Sequence, residues 1–455
     1  MILKRNPLLI IIVSIICVIV IVYACNHVYN GNKPDTRPNI IVVMTDDQDY
    51  NMLKPMVNVK HLLAEQGTTF KNSFVSTPEC CPSRVTFLTG QYSHNNGILS
   101  NSYSYGDFKP TENNSLPVWL KDVGYKTAMF GKYVNGYEDY VPYIPAGWDI
   151  WFSKATVGTR YFNYEINDNG TVKHYGFSHS DYCTDVLSDE VIRFIRNQSL
   201  TQQPFFILFT PSAPHQQVYT GESRLLTIRP PAPAPRHQGV FSSETLPKLP
   251  NFNELDVSDK PSFLRDISLM NSTDILFVEE LYRKRMETLL AVDESVSRII
   301  DTLTDSGNID NTIIMFTSDN GFFHGEHRLQ EGKRLLYEPS SRVPLVIRGP
   351  GIPRNETKSE LVSNVDITAT IVDLAKAKPY RRQDGKSLID LVNGTAKWRN
   401  GLLIESSIDK VAYRQTRFEK YECIRTDRYV YAEYQVKDKN EFDANLLLKA
   451  GELVG

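Results

Sequence analysis

Four apolar runs rich in β-branched and aromatic residues punctuate the chain. They cover residues 39–45, 126–130, 204–210 and 312–318. Each run is apolar almost throughout and does not alternate with polar residues, which is typical of a strand buried on both faces of a parallel sheet. Between the last two runs, apolar residues from 282 to 303 recur every three or four positions, as on one face of an amphipathic helix.

Strands that alternate with helices predict an α/β fold with a large, mainly parallel central sheet flanked by helices. The proline-rich region from Arg229 to Pro261 predicts a rigid surface loop. After about Lys397 the pattern changes to short alternating segments, which predict a small C-terminal antiparallel sheet. We therefore expect a large domain at 39–396 and a small α+β subdomain at 397–455.

The N-terminal segment is different in character. Lys4 and Arg5 precede an apolar run over residues 8–25, so residues 1–25 are typical of a signal peptide or a signal anchor. The run approaches the roughly 20 residues that a membrane helix needs, and the basic flank favours a cytoplasmic N-terminus, so we favour an uncleaved membrane anchor. Residues 22–25, Val-Tyr-Ala-Cys, loosely resemble a bacterial lipoprotein cleavage site, which is a minor alternative. Residues 26–38 are polar, contain Gly and Pro, and predict a linker.

Sequons for N-glycosylation support export independently. They occur at Asn113, Asn169, Asn197, Asn271, Asn355 and Asn393. One sequon is commonly a chance match, but several behind an export signal indicate a glycosylated ectodomain in a eukaryotic host. We expect a protein of the secretory pathway that is membrane-anchored, secreted or lysosomal.

Composition narrows the classes of protein further. The chain has 455 residues, 41% of them hydrophobic, and a formal net charge of -3, which suits a large core and argues against a nucleic-acid binder. Of the six cysteines, Cys17 and Cys25 belong to the leader. The remaining cysteines are too sparse for a disulfide scaffold, although Cys183 and Cys423 could form one bridge.

Each of the four apolar runs leads towards polar residues with useful chemistry. They are Asp46 and Asp47, Lys132, His215, and Asp319 with Asn320. Because the carboxyl ends of parallel strands meet at one edge of a sheet, we expect these side chains to converge. The acids and the amide offer hard oxygen ligands, which favour calcium or magnesium over zinc. Either pair alone is more often a turn, but two pairs that each follow a buried strand favour a metal site.

The pentapeptide at 80–84 reads Cys-Cys-Pro-Ser-Arg. Pro82 suits the first turn of a helix, and a helix that begins here would direct its positive end at an anion. The spacing alone leaves three other interpretations open: a buried pair of thiols, a vicinal disulfide, and a plain cysteine nucleophile paired with His215.

This pentapeptide, followed by Leu-Thr-Gly at 88–90, resembles the signature of the sulfatase family. The resemblance extends from Arg37 to about Leu391 and is nearest to the N-acetylglucosamine-6-sulfatase and arylsulfatase branch. Further matching segments are residues 45–48, 131–133, 213–215, 317–321, 332–338 and 342–351. It implies an alkaline-phosphatase-like fold and conversion of Cys80 to formylglycine by a formylglycine-generating enzyme.

The resemblance also implies a mechanism and a set of roles. The aldehyde at position 80 would hydrate to a diol, of which one hydroxyl attacks sulfur and the other later expels sulfate. Arg84 would hold the diol, Lys132 and Lys333 would neutralise the sulfate, and His215 would donate a proton to the leaving oxygen. The implied ligands of Ca2+, with Mg2+ as the alternative, are Asp46, Asp47, Cys80, Asp319 and Asn320.

Some positions depart from the family pattern or have no assigned role. His94, His324 and His327 lie in or near matching segments and are candidates for the substrate pocket. Many sulfatases have a histidine two residues after the lysine that matches Lys132, where this chain has Val134. The segment 438–455 matches the family poorly, so the small subdomain is expected to be truncated.

The leading hypothesis is hydrolysis of sulfate monoesters, with the 6-O-sulfate of N-acetylglucosamine in glycosaminoglycans as substrate. One alternative keeps the site but changes the substrate to an aryl sulfate or to a phosphonate or phosphate ester. An alternative of another class is a non-catalytic membrane glycoprotein that retains only the fold.

Overall fold

The computed structural model describes residues 35–201, 203–220, 226–395, 397–407, 420–435 and 446–449. The predicted leader, its lipoprotein-like motif and the linker up to residue 34 lie outside the described residues, as does most of the segment 438–455. Within the described ranges, no helix combines the length and apolar character that crossing a bilayer requires.

Within these described ranges, the strands fall into one large sheet and three small ones. They are β1 Asn39–Thr45, β2 Thr68–Phe70, β3 Ser73–Phe74, β4 Lys126–Gly131, β5 Ile150–Lys154, β6 Tyr164–Asp168, β7 Thr171–Tyr175, β8 Phe205–Thr210, β9 Gln217–Thr220, β10 Leu226–Arg229, β11 Thr312–Ser318, β12 Leu345–Arg348, β13 Glu356–Lys358, β14 Val362–Ser363, β15 Gly401–Ser406, β16 Lys420–Thr426, β17 Tyr429–Gln435 and β18 Leu446–Lys449.

The helices vary from one turn to more than thirty residues. The α-helices are α1 Cys80–Thr89, α2 Ser93–Asn96, α3 Tyr105–Phe108, α4 Leu116–Asp122, α5 Cys183–Gln198, α6 Ser262–Arg265, α7 Ser272–Asp305, α8 Glu338–Ser341, α9 Asn364–Ala375 and α10 Leu388–Val392. Short 3-10 turns occur at Tyr50–Leu53, Lys109–Thr111, Tyr137–Tyr140, His179–Asp181, Pro235–His237 and Ile309–Asn311, and a π-helical turn at Val59–Ala64.

The central sheet has ten strands in the order β13-β2-β12-β11-β1-β8-β4-β5-β6-β7. Its middle is parallel, from β11 through β1, β8 and β4 to β5, and most of the pairs towards its edges are antiparallel. The C-terminal sheet, β15-β16-β17-β18, is antiparallel throughout. The predicted fold class is therefore confirmed.

The four predicted strands correspond to β1, β4, β8 and β11, with ends that differ by at most one residue. Their apolar character follows from burial on both faces. In β1, Ile41 and Val43 belong to one core cluster, whereas Ile40 and Val42 belong to the cluster on the opposite face. Alternate side chains of a strand point to opposite faces, so a sheet covered by helices on both sides needs apolar residues at every position.

Helix α7 begins ten residues before the predicted apolar stripe. Asn271 caps it by accepting hydrogen bonds from the backbone N–H groups of Thr273 and Asp274, and the Asp274 side chain accepts from the Asn271 N–H. The first turns are largely exposed; Leu276, for example, is 62% exposed, so they lack the apolar face that identifies the rest of the helix. The capping residues were the sequence signal for the true start.

Several smaller predictions can now be compared with the structure. Between β10 and α6, the proline-rich region contains one 3-10 turn and otherwise neither helix nor strand, as expected for a loop. The sequon asparagines are all exposed. Cys183 and Cys423 are both buried free thiols in different core clusters, so the bridge between them is not formed; nor is a disulfide between Cys80 and Cys81. The domain limits at 39–396 and 397–455 stay predictions.

A third cluster of buried side chains joins the small sheet to the central part of the fold. It packs Leu402, Ile404, Tyr421 and Cys423 of that sheet against the segment 323–337 and against Phe74. The backbone N–H of Glu405 also donates to Ser76 O at 2.7 Å. The small sheet thus lies directly on the two segments that lead to Cys80 and Lys333.

Candidate active site

The carboxyl ends of β1, β11, β8 and β4 bring the predicted polar residues to one edge of the sheet. Thr45 pairs with Ser318 in register, so Asp46 and Asp319 leave adjacent strands at the same level. Gly131 pairs with Thr210, which places Lys132 beside the segment that leads to His215. Asp46, Asp47, Asp319 and Asn320 are all at most 1% exposed, so the edge is a buried acidic site.

The backbone at Asp47 explains how two consecutive carboxylates reach the same site. Consecutive side chains of a strand point to opposite faces, but Asp47 has a φ of 71°, in the left-handed region. This conformation costs a non-glycine residue about 1 kcal/mol, and aspartate tolerates it better than most residues. The Asp47 N–H donates to Asp319 Oδ1 at 3.1 Å, and this hydrogen bond stabilises the turn of the backbone at Asp47.

Cys80 is the first residue of α1, as predicted, and its Sγ faces the carboxylates. The Sγ atom lies 3.4 Å from Asp46 Oδ1 and 3.8 Å from Asp47 Oδ1. Lys333 Nζ lies 2.7 Å from the same sulfur and also contacts Asp47 Oδ1. Position 80 therefore lies between the acids and a cation, at the positive end of a buried helix.

Three cations offset the charge of the three carboxylates. Lys132 Nζ lies 2.7 Å from Asp46 Oδ2, and Arg84 Nε lies 2.7 Å from Asp319 Oδ2. Arg84 also donates through Nη1 to Lys132 O at 2.6 Å, which ties α1 to the end of β4. With Lys333 on Asp47, each carboxylate has one close cationic partner.

These neighbours shift the pKa values of the acids in different directions. Burial alone would raise the pKa of Asp46, but Lys132, His215 and Arg84 hold it well below its ordinary value. The pKa of Asp47 is likewise lowered, since Lys333 and His215 outweigh burial. By contrast, burial and the nearby Asp46 raise the pKa of Asp319.

The thiol of Cys80 is not activated as a plain nucleophile. Burial raises its pKa well above the ordinary value, although Lys132 and Lys333 act in the opposite direction. A reactive cysteine needs a lowered pKa, because the thiolate is the nucleophile. His215 Nε2 is directed at Asp47 Oδ2, 3.5 Å away, and His215 Nδ1 lies 2.6 Å from Gln216 O. Among the described residues His215 thus contacts Asp47 and Gln216 and forms no hydrogen bond with Cys80.

The residues present fit a divalent cation with a preference for oxygen. Ligand atoms of Asp46, Asp47, Cys80 and His215 lie within 4.8 Å of one another. Asn320 Oδ1 is buried and accepts no hydrogen bond within the described part of the chain, while its Nδ2 donates to Asp47 Oδ1 at 2.7 Å. A buried carbonyl oxygen without a donor is costly, and a cation beside the carboxylates would satisfy it.

The other three candidate histidines have separate partners. His94 is paired with Glu405 through Nδ1 at 2.9 Å, and His327 with Glu254 at 2.8 Å. His324 is buried against Tyr282, its ring approaching edge-on. None of the three belongs to the described group of potential metal-binding residues around Cys80. Their role in a substrate pocket stays a prediction.

Two buried cations near the site were missed from the sequence. Arg285 of α7 is fully buried and donates to Pro214 O at 3.0 Å and to Asp47 O, so it links the Asp47 turn to the segment before His215. Lys154, at the end of β5, donates to Ser212 Oγ at 3.0 Å and forms no ion pair among the described residues. Arg285 had a signal, since it interrupts the apolar stripe of its helix.

The carboxyl edge of a large parallel sheet here carries acids, an amide, lysines and a helix N-terminus. This arrangement is typical of α/β enzymes that act on anionic esters. Comparison with known proteins identifies the family. A sequence profile of the sulfatase family matches residues 38–377, and a profile described as N-sulphoglucosamine sulphohydrolase, C-terminal, matches residues 325–446. The chain belongs to the sulfatase family.

Curated relatives are about one third identical to this chain over the aligned residues. The N-acetylglucosamine-6-sulfatase of Homo sapiens is 34% identical over 398 residues, covering 84% of this chain and 69% of the relative. An extracellular sulfatase homolog of Drosophila melanogaster is 34% identical over 391 residues, covering 83% of this chain and 34% of the relative. An extracellular sulfatase homolog of Caenorhabditis elegans is 34% identical over 427 residues, covering 90% of this chain and 56% of the relative. The chain thus spans about a third to two thirds of the length of these relatives.

Solved structures show the same fold. A protein in complex with its substrate D-glucosamine-2-N,6-O-disulfate superposes with a TM-score of 0.74 at 25% identity, covering 89% of this chain and 90% of that one. The phosphonate monoester hydrolase of Agrobacterium radiobacter superposes with a TM-score of 0.64 at 19% identity, covering 88% of this chain and 87% of that one. At that identity the second likeness establishes the fold alone.

Proposed function

We propose that this protein hydrolyses sulfate monoesters, and that its substrate is a 6-O-sulfate on N-acetylglucosamine of glycosaminoglycans. The observation that carries the proposal is the position of Cys80. It begins α1 inside a family signature, with Lys333 Nζ 2.7 Å from its sulfur and two carboxylates beyond. The substrate class rests on the names of the human relative and of the sugar bound in the similar structure.

We infer that Cys80 is converted to formylglycine by a formylglycine-generating enzyme. When hydrated, that group supplies a hydroxyl nucleophile that the buried, raised-pKa thiol does not. Ca2+, with Mg2+ as the alternative, would be held by Asp46, Asp47, Asp319, Asn320 and the modified residue 80. Its charge would lower the pKa of a hydroxyl and attract a sulfate oxygen.

The side chains of this protein then have separate tasks. Lys132 and Lys333 place two ammonium groups at the acidic edge, where they would neutralise the sulfate oxygens as charge shifts to the leaving group. Arg84 orients α1 by bonding both Asp319 and Lys132 O. These roles agree with a buried site in which charge is arranged before the substrate arrives.

His215 is the proposed donor of a proton to the leaving alcohol. Its Nδ1 lies 2.6 Å from Gln216 O, a contact in which Nδ1 donates, so Nε2 is the nitrogen that faces the site. Burial lowers the pKa of His215, although Asp47 and Asp46 oppose this. A lowered pKa makes the imidazolium a stronger acid but reduces the protonated fraction, so donation from Nε2 requires the imidazolium form that Asp47 and Asp46 favour.

Peptide mass spectrometry and a substrate panel test the proposal. Protein from a host with a formylglycine-generating enzyme should carry the aldehyde at Cys80 and release sulfate from N-acetylglucosamine 6-sulfate. Cys80→Ala should abolish turnover, whereas Cys81→Ala, which removes the adjacent buried thiol, should retain it. Faster turnover of 4-nitrophenyl sulfate or of phosphonate and phosphate monoesters would replace the proposed substrate with an alternative one. An unmodified thiol in protein from its natural host would favour a non-catalytic glycoprotein.

We further propose that the chain follows the secretory route, either anchored through residues 1–25 or released. The name of the Drosophila relative as an extracellular sulfatase and the exposure of all the sequon asparagines support this. Treatment of the protein with peptide N-glycosidase should lower its mass, and the N-terminal peptide should show whether the leader is retained. Protein found without glycans in the cytosol of a eukaryotic host would contradict the proposed route.

A further inference from the structure

A buried ion pair connects the residues that immediately adjoin Cys80 and Lys333. Glu79 precedes Cys80, Arg334 follows Lys333, and Arg334 Nε lies 2.6 Å from Glu79 Oε1. Both side chains are almost inaccessible, at 1% and 7% exposure. The two groups that meet at the candidate site are thus each one residue away from the same ion pair.

Backbone contacts reinforce this connection on both sides. The Arg334 N–H donates to Pro78 O at 3.1 Å, so the two segments are joined at the main chain as well. The second carboxylate oxygen of Glu79 accepts from the Asn101 N–H at 3.0 Å, and Asn101 Oδ1 accepts from the Cys81 N–H at 2.9 Å. Glu79 therefore also fixes the first turn of α1, which carries residue 80.

The small C-terminal sheet takes part in the same arrangement. Tyr421, the second residue of β16, is 1% exposed and donates through its hydroxyl to Arg334 O at 2.6 Å. Arg334 has a φ of 86°, a left-handed conformation that a residue with a side chain adopts only when its surroundings hold it. The Tyr421 hydrogen bond, the Arg334 N–H bond to Pro78 O and the Glu79 ion pair all act on this residue.

Stability alone does not explain a buried ion pair at this position. Taking two charges out of water is costly, and an apolar pair of similar volume is often equally or more stable. The pair also joins two segments whose relative position is fixed by directional hydrogen bonds, from the Arg334 N–H to Pro78 O and from the Asn101 N–H to Glu79 Oε2. The register of the two segments sets the distance from Lys333 Nζ to residue 80.

We propose that Glu79, Arg334 and Tyr421 are positioning residues that hold Lys333 against the reacting group at position 80. This inference deepens the proposed function and rests on it. Displacement of a catalytic group by about 1 Å can reduce turnover by about a hundredfold. The small sheet is then part of the catalytic unit, because it supplies the hydroxyl that fixes Arg334.

The test uses Glu79→Gln, Arg334→Met and the double variant, with Arg425→Met as the matched control. Arg425 also forms a buried ion pair, with Glu338 at 2.8 Å, but neither residue adjoins Cys80 or Lys333. For each protein, kcat and KM for N-acetylglucosamine 6-sulfate are measured per formylglycine-containing site, together with Tm.

Each single variant should lower kcat about 10- to 100-fold, with KM changed by less than about threefold. The double variant, which removes both charges of the pair, should recover part of the lost Tm but not kcat. The control should lose Tm with little change in kcat. If kcat instead follows Tm in all four variants, the Glu79–Arg334 pair is merely structural and the proposal is wrong.

Two further measurements make the inference independent of general damage. In a Lys333→Met background, Arg334→Met should reduce kcat by less than about twofold, because residues that act through the same group are not additive. Effects that multiply would overturn the proposal. A crystal structure of the double variant should show Lys333 Nζ beyond hydrogen-bonding distance of residue 80, and an unmoved Nζ would also overturn it. This structural result stands even if the wild-type protein proves inactive on sulfate esters, which would contradict only the proposed function.

Discussion

Lys333→Met is the substitution that most directly tests the chemistry proposed for the site. Methionine keeps most of the length and volume of lysine but removes the ammonium group. In the structure, that group lies 2.7 Å from Cys80 Sγ and contacts Asp47 Oδ1. In the proposed reaction, a sulfate transferred to residue 80 would pass close to Nζ.

The size of the effect follows from the distance and the burial. Two unit charges about 4 Å apart at an effective dielectric constant of about 20 interact by about 4 kcal/mol. Loss of one prearranged donor typically lowers kcat by about 10²- to 10³-fold, which agrees with that energy. Because charge on the sulfate oxygens changes in the transition state, we expect the loss mainly in kcat and less in KM.

The assay is release of sulfate from N-acetylglucosamine 6-sulfate, normalised to the formylglycine content at Cys80. Lys54→Met serves as the control, since that lysine is 60% exposed and paired with Glu244 at the surface. An exposed pair of this kind contributes about 0–1 kcal/mol, so the control should behave like the wild type. If Lys333→Met keeps kcat within about threefold of the wild type, the ammonium group supplies less than about 1 kcal/mol and the assigned role is wrong.

Three other outcomes are expected. Removal of divalent cations with a chelator should lower Tm by a few degrees, and added Ca2+ should restore it. A ligand that binds only the folded state stabilises it by about 2.7 kcal/mol when its free concentration is about 100 times its Kd. An unchanged Tm would contradict the metal site. Ile41→Ala, in the fully buried centre of β1, should cost about 2–5 kcal/mol in urea unfolding, whereas Leu200→Ala, at an 87% exposed position, should cost little; similar losses would refute the assignment of the core. Asn271→Ala should lose about 0.5–2 kcal/mol more than Thr273→Ala, because both remove the sequon but only the first removes the cap of α7; equal losses would mean that the cap is unimportant.

The local parts of the fold could be predicted from the sequence because the signals are local. A strand buried on both faces needs an uninterrupted apolar run, and β1, β4, β8 and β11 each have one. The start of α7 was missed because its first turns are exposed and carry no apolar stripe. Lys154 was missed because an isolated cation in a sequence is indistinguishable from a solvated one until its burial is known, whereas Arg285 was overlooked although it interrupts the apolar stripe of α7.

The sequence by itself determined the identity of the chemical groups at the candidate site and the edge of the sheet to which they belong. Asp46, Lys132 and Asp319 follow runs that are typical of strands in a covered sheet, and strand direction then predicts that they lie together. Only the tertiary structure decided the rest. It showed that the Cys80 thiol is deeply buried with a raised pKa, and that Lys333, more than 250 positions away in sequence, contacts its sulfur. Burial and contacts between distant segments depend on the packing of the whole chain, because no local pattern fixes which surfaces of separate elements will meet.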